Sequence, residues 1–166
     1  MSVIACRVLD DRIVVASDSI VVRGWSQTKG NNLNFSKLVE VNGFILGGVG
    51  YAAELSLFRI FCMTHSPDDM SESALLRFMV EFSRWRSNNS DSGAVDNTYI
   101  FVGDGKAFVL DGFFVQEIKD YWAIGAGRDF AMTAFYFGRN AREAVEVACE
   151  LSIYCELPVI SFEVLK

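Results

Sequence analysis

A serine stands second in this chain, directly behind Met1. Initiator methionine is normally removed ahead of so small a residue, which leaves a hydroxyl and a free α-amine on Ser2. Such an amine titrates at about pH 8, close to working pH, so it can accept the hydroxyl proton as the oxygen attacks a carbonyl carbon. That chemistry needs no histidine. His65 is the single histidine here, which leaves a zinc site or a Ser-His-Asp arrangement almost no material. Asp18 and Lys37 are charged residues bordering apolar stretches. A lysine beside the nucleophile lowers the pKa of hydroxyl and amine, and an aspartate keeps that lysine ionised. Gly48 and Gly50 let the backbone approach a substrate, and an N–H there can hold an oxyanion. The plainer reading makes Ser2 an ordinary residue behind a retained Met1, Lys37 a solvated lysine, Asp18 a carboxylate tying down turns, and the glycines simple turn formers.

The elements around these residues follow from periodicity and turn chemistry. Residues 3–9 and 12–17 read as strands around Asp10 and Asp11, and 37–41 and 44–48 as a second hairpin closed by Asn42 and Gly43. The polar stretch 23–34 between them reads as irregular. Helical spacing begins at Tyr51 and runs to Met63, with Leu55, Phe58 and Cys62 on one face and Pro67 beyond its end. Ser71 or Ser73 can cap a second helix carrying Leu75, Leu76, Met79, Phe82 and Trp85. Residues 87–97 read as a loop. Strands are predicted at 99–102, 107–110, 113–118 and 122–124, then helices at 129–136 and 141–154 with Asn140 as a cap. Pro158 precedes a last strand, 159–165. Blocks of strands and helices in this order argue for an α+β fold, a four-layer αββα sandwich of two antiparallel sheets flanked by helix pairs. Residues 1–166 are expected to form one domain, with no internal repeat or linker.

Composition narrows the function. A hydrophobic share of 51% against 22% charged excludes a disordered chain. No apolar run approaches a membrane span, and the N-terminus has no secretory signal, so no membrane partner is expected and a cytoplasmic location is. The mean hydropathy of +0.25 is high for a soluble monomer and predicts a homo-oligomer. A net charge of −6 speaks against a nucleic-acid partner. Cys6, Cys62, Cys149 and Cys155 form no CxxC pair and read as reduced core thiols. The string FILGGVGYAAE has the outline of a strand, a GxGxxA turn and a helix, as in dinucleotide-binding folds. Its strand belongs to a hairpin and its helix is followed by a second helix, so the βαβ context is missing. No cofactor and no metal are expected.

Several strings in one order resemble the proteasome β subunit and HslV-type protease families, which share the N-terminal nucleophile hydrolase fold. VIACRVLDDRIVVASDS is similar to their opening TTIxxVxxxxGVVxAxDx, which places Ser2 at the family's catalytic threonine and Asp18 at its aspartate. SKL, with Lys37, resembles the SKI or RKV that carries the catalytic lysine. GVGYAAE is similar to GAGTAAD, with Gly50 at the oxyanion-hole glycine. WAIGAGRDFA looks like the AIGSG segment, and SIYCELPVISFEVL like the HslV-type ending CIYTNDNITVEEL. The resemblance spans essentially the whole chain, with small length differences around 30–35 and Asn42.

The resemblance implies a ring-forming hydrolase, a threonine-type endopeptidase with serine as its nucleophile, polypeptide substrates and an ATPase unfoldase partner. Three departures stand out. Serine lacks the threonine methyl that helps fix χ1. Ala126 replaces the serine of the GSG turn, which hydrogen-bonds the terminal amine in relatives. Ser152 and Cys155 take the places of an Asp and a Ser that proteasome β subunits set near that amine, where HslV-type proteins depart as well, with Cys and Thr. A cation site built from carbonyls near Cys149, Ser152 and Cys155 is a further implication of the HslV-type likeness. The alternative is a catalytically silent subunit of the same fold with a structural or inhibitory part in an assembly.

Overall fold

A computed structural model of the protein describes residues 1–23, 26–28 and 35–166. Eleven strands and four helices appear among them, in the order strands, helix pair, strands, helix pair, strand. The first strands are β1 (Val3–Val8), β2 (Arg12–Ser17), β3 (Val21–Arg23), β4 (Ser26–Thr28), β5 (Leu38–Val41) and β6 (Phe44–Val49). The helices α1 (Ala52–Thr64) and α2 (Glu72–Asn89) follow. Next come β7 (Thr98–Gly103), β8 (Lys106–Asp111), β9 (Phe114–Ile118) and β10 (Tyr121–Gly125). The chain then runs through α3 (Arg128–Tyr136), α4 (Ala141–Leu151) and β11 (Ile160–Leu165).

One antiparallel sheet has the order β10-β1-β2-β11 and the other β5-β6-β7-β8-β9, with β3 and β4 forming a separate ribbon. The central strands β1, β6, β7 and β8 are buried on two faces and run apolar, whereas the edge strands β9 and β11 alternate with exposed residues. In β1, Ile4 and Cys6 point between the sheets, while Val3 and Ala5 point at α3 and α4. In β7, Ile100 and Val102 join the same intersheet layer, and Tyr99 and Phe101 pack under α1 and α2. Phe58 is fully buried at the centre of the α1–α2 layer, with the rings of Phe82 and Tyr99 each 4.6 Å away. The four-layer αββα sandwich is therefore the observed architecture.

Local signals act as their chemistry directs. Asn42 and Gly43 both take positive φ (50° and 81°), as a tight hairpin with the right twist demands. Of the two candidate caps, Ser71 is the one used, accepting from the Ala74 N–H. Asn140 and Glu143 form a reciprocal capping box on α4. Four expectations need correction. The stretch 23–34 is not wholly irregular, because β3 and β4 pair across its start; residues 24, 25 and 29–34 lie outside the described residues. Helix α2 continues through Asn89, whose amide donates to the Trp85 carbonyl, so the expected loop starts later than residue 87. Leu76 is 40% exposed, and Phe78 takes its place in the core. Helix α4 stops at Leu151, because Ser152 turns to extended backbone after its N–H closes on Ala148.

Candidate active site

Asp18 lies where the chain leaves β2, and its side chain is fully buried. Its carboxylate takes four donors. Oδ1 accepts from the Val3 N–H at 2.9 Å and from Lys37 Nζ at 2.6 Å; Oδ2 accepts from the Ile20 and Glu156 N–H groups, both at 3.3 Å. The Asp18 N–H returns a bond to the Val3 carbonyl at 3.2 Å. Together these bonds clamp the start of β1, one residue behind Ser2, and a buried carboxylate is tolerated only when so fully engaged.

Lys37 precedes β5, and its side chain is 5% exposed. Burial pulls its pKa below the ordinary lysine value, and the Asp18 charge opposes that pull. The ammonium thus releases a proton more readily than a surface lysine does. Its carbonyl accepts from the Gly48 N–H at 3.2 Å, which commits that N–H to the sheet. Gly50 lies past the last residue of β6, so its N–H is outside that strand's ladder.

Gly50 has φ +126°, a backbone that side-chain-bearing residues rarely adopt. A Cβ there would sit 2.1 Å from Asn97 Oδ1. Gly48 is needed for a different reason: a Cβ would press on Leu55 and Tyr99 side chains at 2.7 and 2.9 Å. The GxGxxA-like string is therefore explained by packing and by the turn into α1, with α2 and not a strand following that helix.

Ser2 is buried, and its hydroxyl donates to the Met1 carbonyl. Its own carbonyl accepts from the Gly127 N–H at 3.1 Å. Gly125, paired with Val3, has φ +95°, and a Cβ there would meet the Ser2 oxygen at 2.3 Å. While Met1 is attached, the Ser2 nitrogen is an amide and cannot serve as a base; its removal frees that nitrogen as an amine. Met1, Ser2, Lys37, Gly48, Gly50 and Asn97 line one cleft of about 350 Å³. Its other walls are largely apolar and include Ile20, Val22, Phe35 and Leu55.

Ser2, Asp18, Lys37 and Gly50 are thus brought together, three on the cleft wall and Asp18 directly behind Lys37. Ser152 and Cys155 lie buried just past α4, where the Ser152 hydroxyl accepts from the Tyr154 N–H at 3.2 Å. Burial and the Asp18 charge push the thiols of Cys149 (to about 12) and Cys155 up from their ordinary value. All four cysteines are free thiols. No cluster of three or more His, Cys, Asp or Glu residues suited to a metal occurs among the described residues.

Asn97 and Glu54 were missed by sequence reasoning. Asn97 fell inside a polar stretch read as loop. Glu54 falls inside the helix predicted from Tyr51 to Met63 and its type alone does not single it out, yet it is 1% exposed. The one available signal for Glu54 was its place in GVGYAAE, beside the candidate oxyanion glycine.

Two facing antiparallel sheets between helix pairs are the architecture of the proteasome-like N-terminal nucleophile hydrolase fold, and this chain has that fold. No protein-family model and no curated protein sequence matches the chain. Its likeness is to solved structures. BPH of Thiobacillus denitrificans, solved in complex with epoxomicin, matches with a TM-score of 0.89 at 19% identity over 98% of both chains. HslV of Trypanosoma brucei matches at 0.74 with 18% identity over 99% of both chains. A Gly-1 mutant of Anbu from Hyphomicrobium sp. strain MC1 also reaches 0.74, at 12% identity over 99% of this chain and 82% of that one. No helix among the described residues is long and apolar enough to cross a membrane.

Proposed function

We propose that this chain is a ring-forming, proteasome-like peptidase that cleaves peptide bonds with Ser2 once Met1 has been removed. The observation that carries the reading is the convergence of Ser2, the Asp18–Lys37 pair and Gly50 on one cleft. The Ser2 hydroxyl attacks the scissile carbonyl carbon, and the freed α-amine takes the hydroxyl proton. The carbonyl oxygen, now negative, is held by the Gly50 N–H. As the tetrahedral intermediate collapses, the amine passes its proton to the leaving nitrogen, and an ester on Ser2 remains. Water then attacks that ester with the same amine as base, which releases the acid and restores the hydroxyl. Lys37 lowers the proton affinity of hydroxyl and amine, and Asp18 holds it in place.

Exposed large apolar side chains, such as Tyr136, Phe137 and Ile153 at 74–83% exposure, favour self-association into an oligomer. The fold likeness to HslV suggests rings and an ATPase unfoldase partner, a polypeptide substrate and a cytoplasmic setting. A second reading, a silent subunit of an assembly, is favoured by Ala126, whose methyl brings no hydroxyl to the terminal amine. The two readings separate in one experiment. BPH has been solved with epoxomicin, a peptide epoxyketone, and such a probe reacts with a hydroxyl and a free amine on the same residue. Intact mass of the expressed protein after incubation with epoxomicin is expected to show loss of Met1 and one adduct, abolished in Ser2→Ala. Retained Met1 with no adduct leaves the silent subunit as the function.

A further inference from the structure

We propose that Asn97, braced by Glu54, is the positioning residue for the oxyanion donor at Gly50, an inference that rests on the peptidase reading above. The Asn97 side chain grips the backbone of Tyr51 at both ends. Its Oδ1 accepts from the Tyr51 N–H at 2.6 Å, and its Nδ2 donates to the Tyr51 carbonyl at 2.9 Å. This is the pair of bonds a neighbouring strand would make, supplied by one amide across 46 residues of sequence. It fixes the peptide plane between Gly50 and Tyr51. The Gly50 N–H belongs to the preceding peptide, beyond the last β6 pair at Val49. The grip therefore acts on it through the Gly50 φ. Glycine moves between positive and negative φ at little cost, and fixing the plane on its far side holds the N–H toward the cleft.

The grip is itself anchored. The Glu54 carboxylate, in the first turn of α1, accepts at Oε1 from the Asn97 N–H and the Tyr99 hydroxyl, both at 2.9 Å. At Oε2 it accepts from Arg86 at 2.7 Å and from the Asp96 N–H at 3.2 Å. Four donors from α2, β7 and the segment before β7 therefore meet on one buried charge. A carboxylate so buried is costly unless its lone pairs are used, and an apolar side chain would fill the same space without that cost. What the carboxylate adds is direction: it sets the backbone of residues 96 and 97, and so aims the Asn97 amide at the turn beside the cleft.

The test uses the full chain after Met1 removal, with a fluorogenic peptide substrate and a peptide aldehyde. The aldehyde forms a tetrahedral adduct on Ser2 whose oxygen needs the same donor as the transition state. Asn97→Ala is expected to lower kcat roughly 100-fold with KM changed less than about threefold, the split expected for an interaction made in the transition state. Aldehyde inhibition should weaken by the same factor as kcat/KM falls, which a change confined to stability would not produce. Asn97→Asp keeps the size of the side chain and the acceptor for the Tyr51 N–H, so the space stays filled. It sets an oxygen against the Tyr51 carbonyl and breaks that end of the grip, so it should lose roughly tenfold in kcat. Glu54→Gln should show the same kcat-only pattern. A wild-type protein that neither cleaves peptide nor binds the aldehyde refutes the peptidase reading, and this inference falls with it. An active wild type whose Asn97→Asp and folded Asn97→Ala forms keep kcat refutes the inference alone.

Discussion

Replacing Asp18 by asparagine changes few atoms and tests how the site is held. In the native protein the carboxylate takes four donors, and both it and the Lys37 side chain are at most 5% exposed. Asparagine removes the negative charge and turns one oxygen into an NH2, which must then face either the Val3 N–H and Lys37 or the Ile20 and Glu156 N–H groups. Breaking a buried pair by removing one partner costs about 3–5 kcal/mol. At about 2–4 °C per kcal/mol for a chain of this size, the melting temperature should fall by about 6–20 °C. Proton release from Lys37, whose pKa burial already depresses, moves the result toward the lower end of that range. Removing the stranded charge as well should help, so Asp18→Asn with Lys37→Met is expected to be more stable than Asp18→Asn alone by about 1–3 kcal/mol. Thermal melts and urea unfolding of the four proteins in the double-mutant cycle measure the two quantities. An Asp18→Asn protein melting within about 2 °C of wild type, or a double variant whose loss equals the sum of the single losses, refutes the reasoning.

Two further expectations concern particular atoms. Gly125→Ala puts a methyl 2.3 Å from the Ser2 carbonyl at φ +95°, so it should cost stability, displace Ser2 and lower peptide turnover. Gly43→Ala (φ +81°, open space) should show about 1–3 kcal/mol of backbone strain and unaltered peptide turnover; equal turnover losses in the two would sink the argument. Burial raises the Cys6 thiol from 9.0 to about 12, so its contribution to stability is complete below pH 9 and is lost as pH rises through 12. Urea midpoints under reducing conditions should fall over that window in wild type and less steeply in Cys6→Ala, parallel curves being the contrary result.

Much of the fold was legible because its signals are local. Positive φ at Asn42 and Gly43, the Asn140 cap and the order of strand and helix blocks each depend on a few neighbouring residues. Ser2, Asp18, Lys37 and Gly50 were legible as a set because the spacing of similar strings in a known family names them; the residues alone left the bland reading open. Asn97 was not legible, since nothing in a polar stretch says that one amide closes on a backbone 46 residues earlier. Ser26, Gln27 and Thr28 gave no strand pattern, because the ribbon they form with β3 leaves Ser26 and Gln27 exposed, so no apolar alternation is required. The overrun of α2 has a similar cause: serines and asparagines at its end read as loop, yet the Ser90 hydroxyl and the Asn89 amide bond back to carbonyls of the last turn.

The energetics of the Asp18–Lys37 pair bear on which functional reading is stronger. A buried ion pair contributes little net stability, because the loss of hydration on both ions roughly offsets their attraction. A scaffold that needed only to fold could place apolar side chains between β2 and β5. Here Asp18 ties the first bond of β1 to the ammonium, and the ammonium lines the cleft beside Ser2. The arrangement therefore links the position of Ser2 to a buried charge, a link that the proposed attack on a carbonyl uses and that a silent subunit would need only as a clamp on β1. That asymmetry is why a missing hydroxyl at Ala126 weighs less than the intact pair. The amine can be hydrated in place of a serine partner, whereas nothing in the solvent replaces a lysine held against the wall of the cleft.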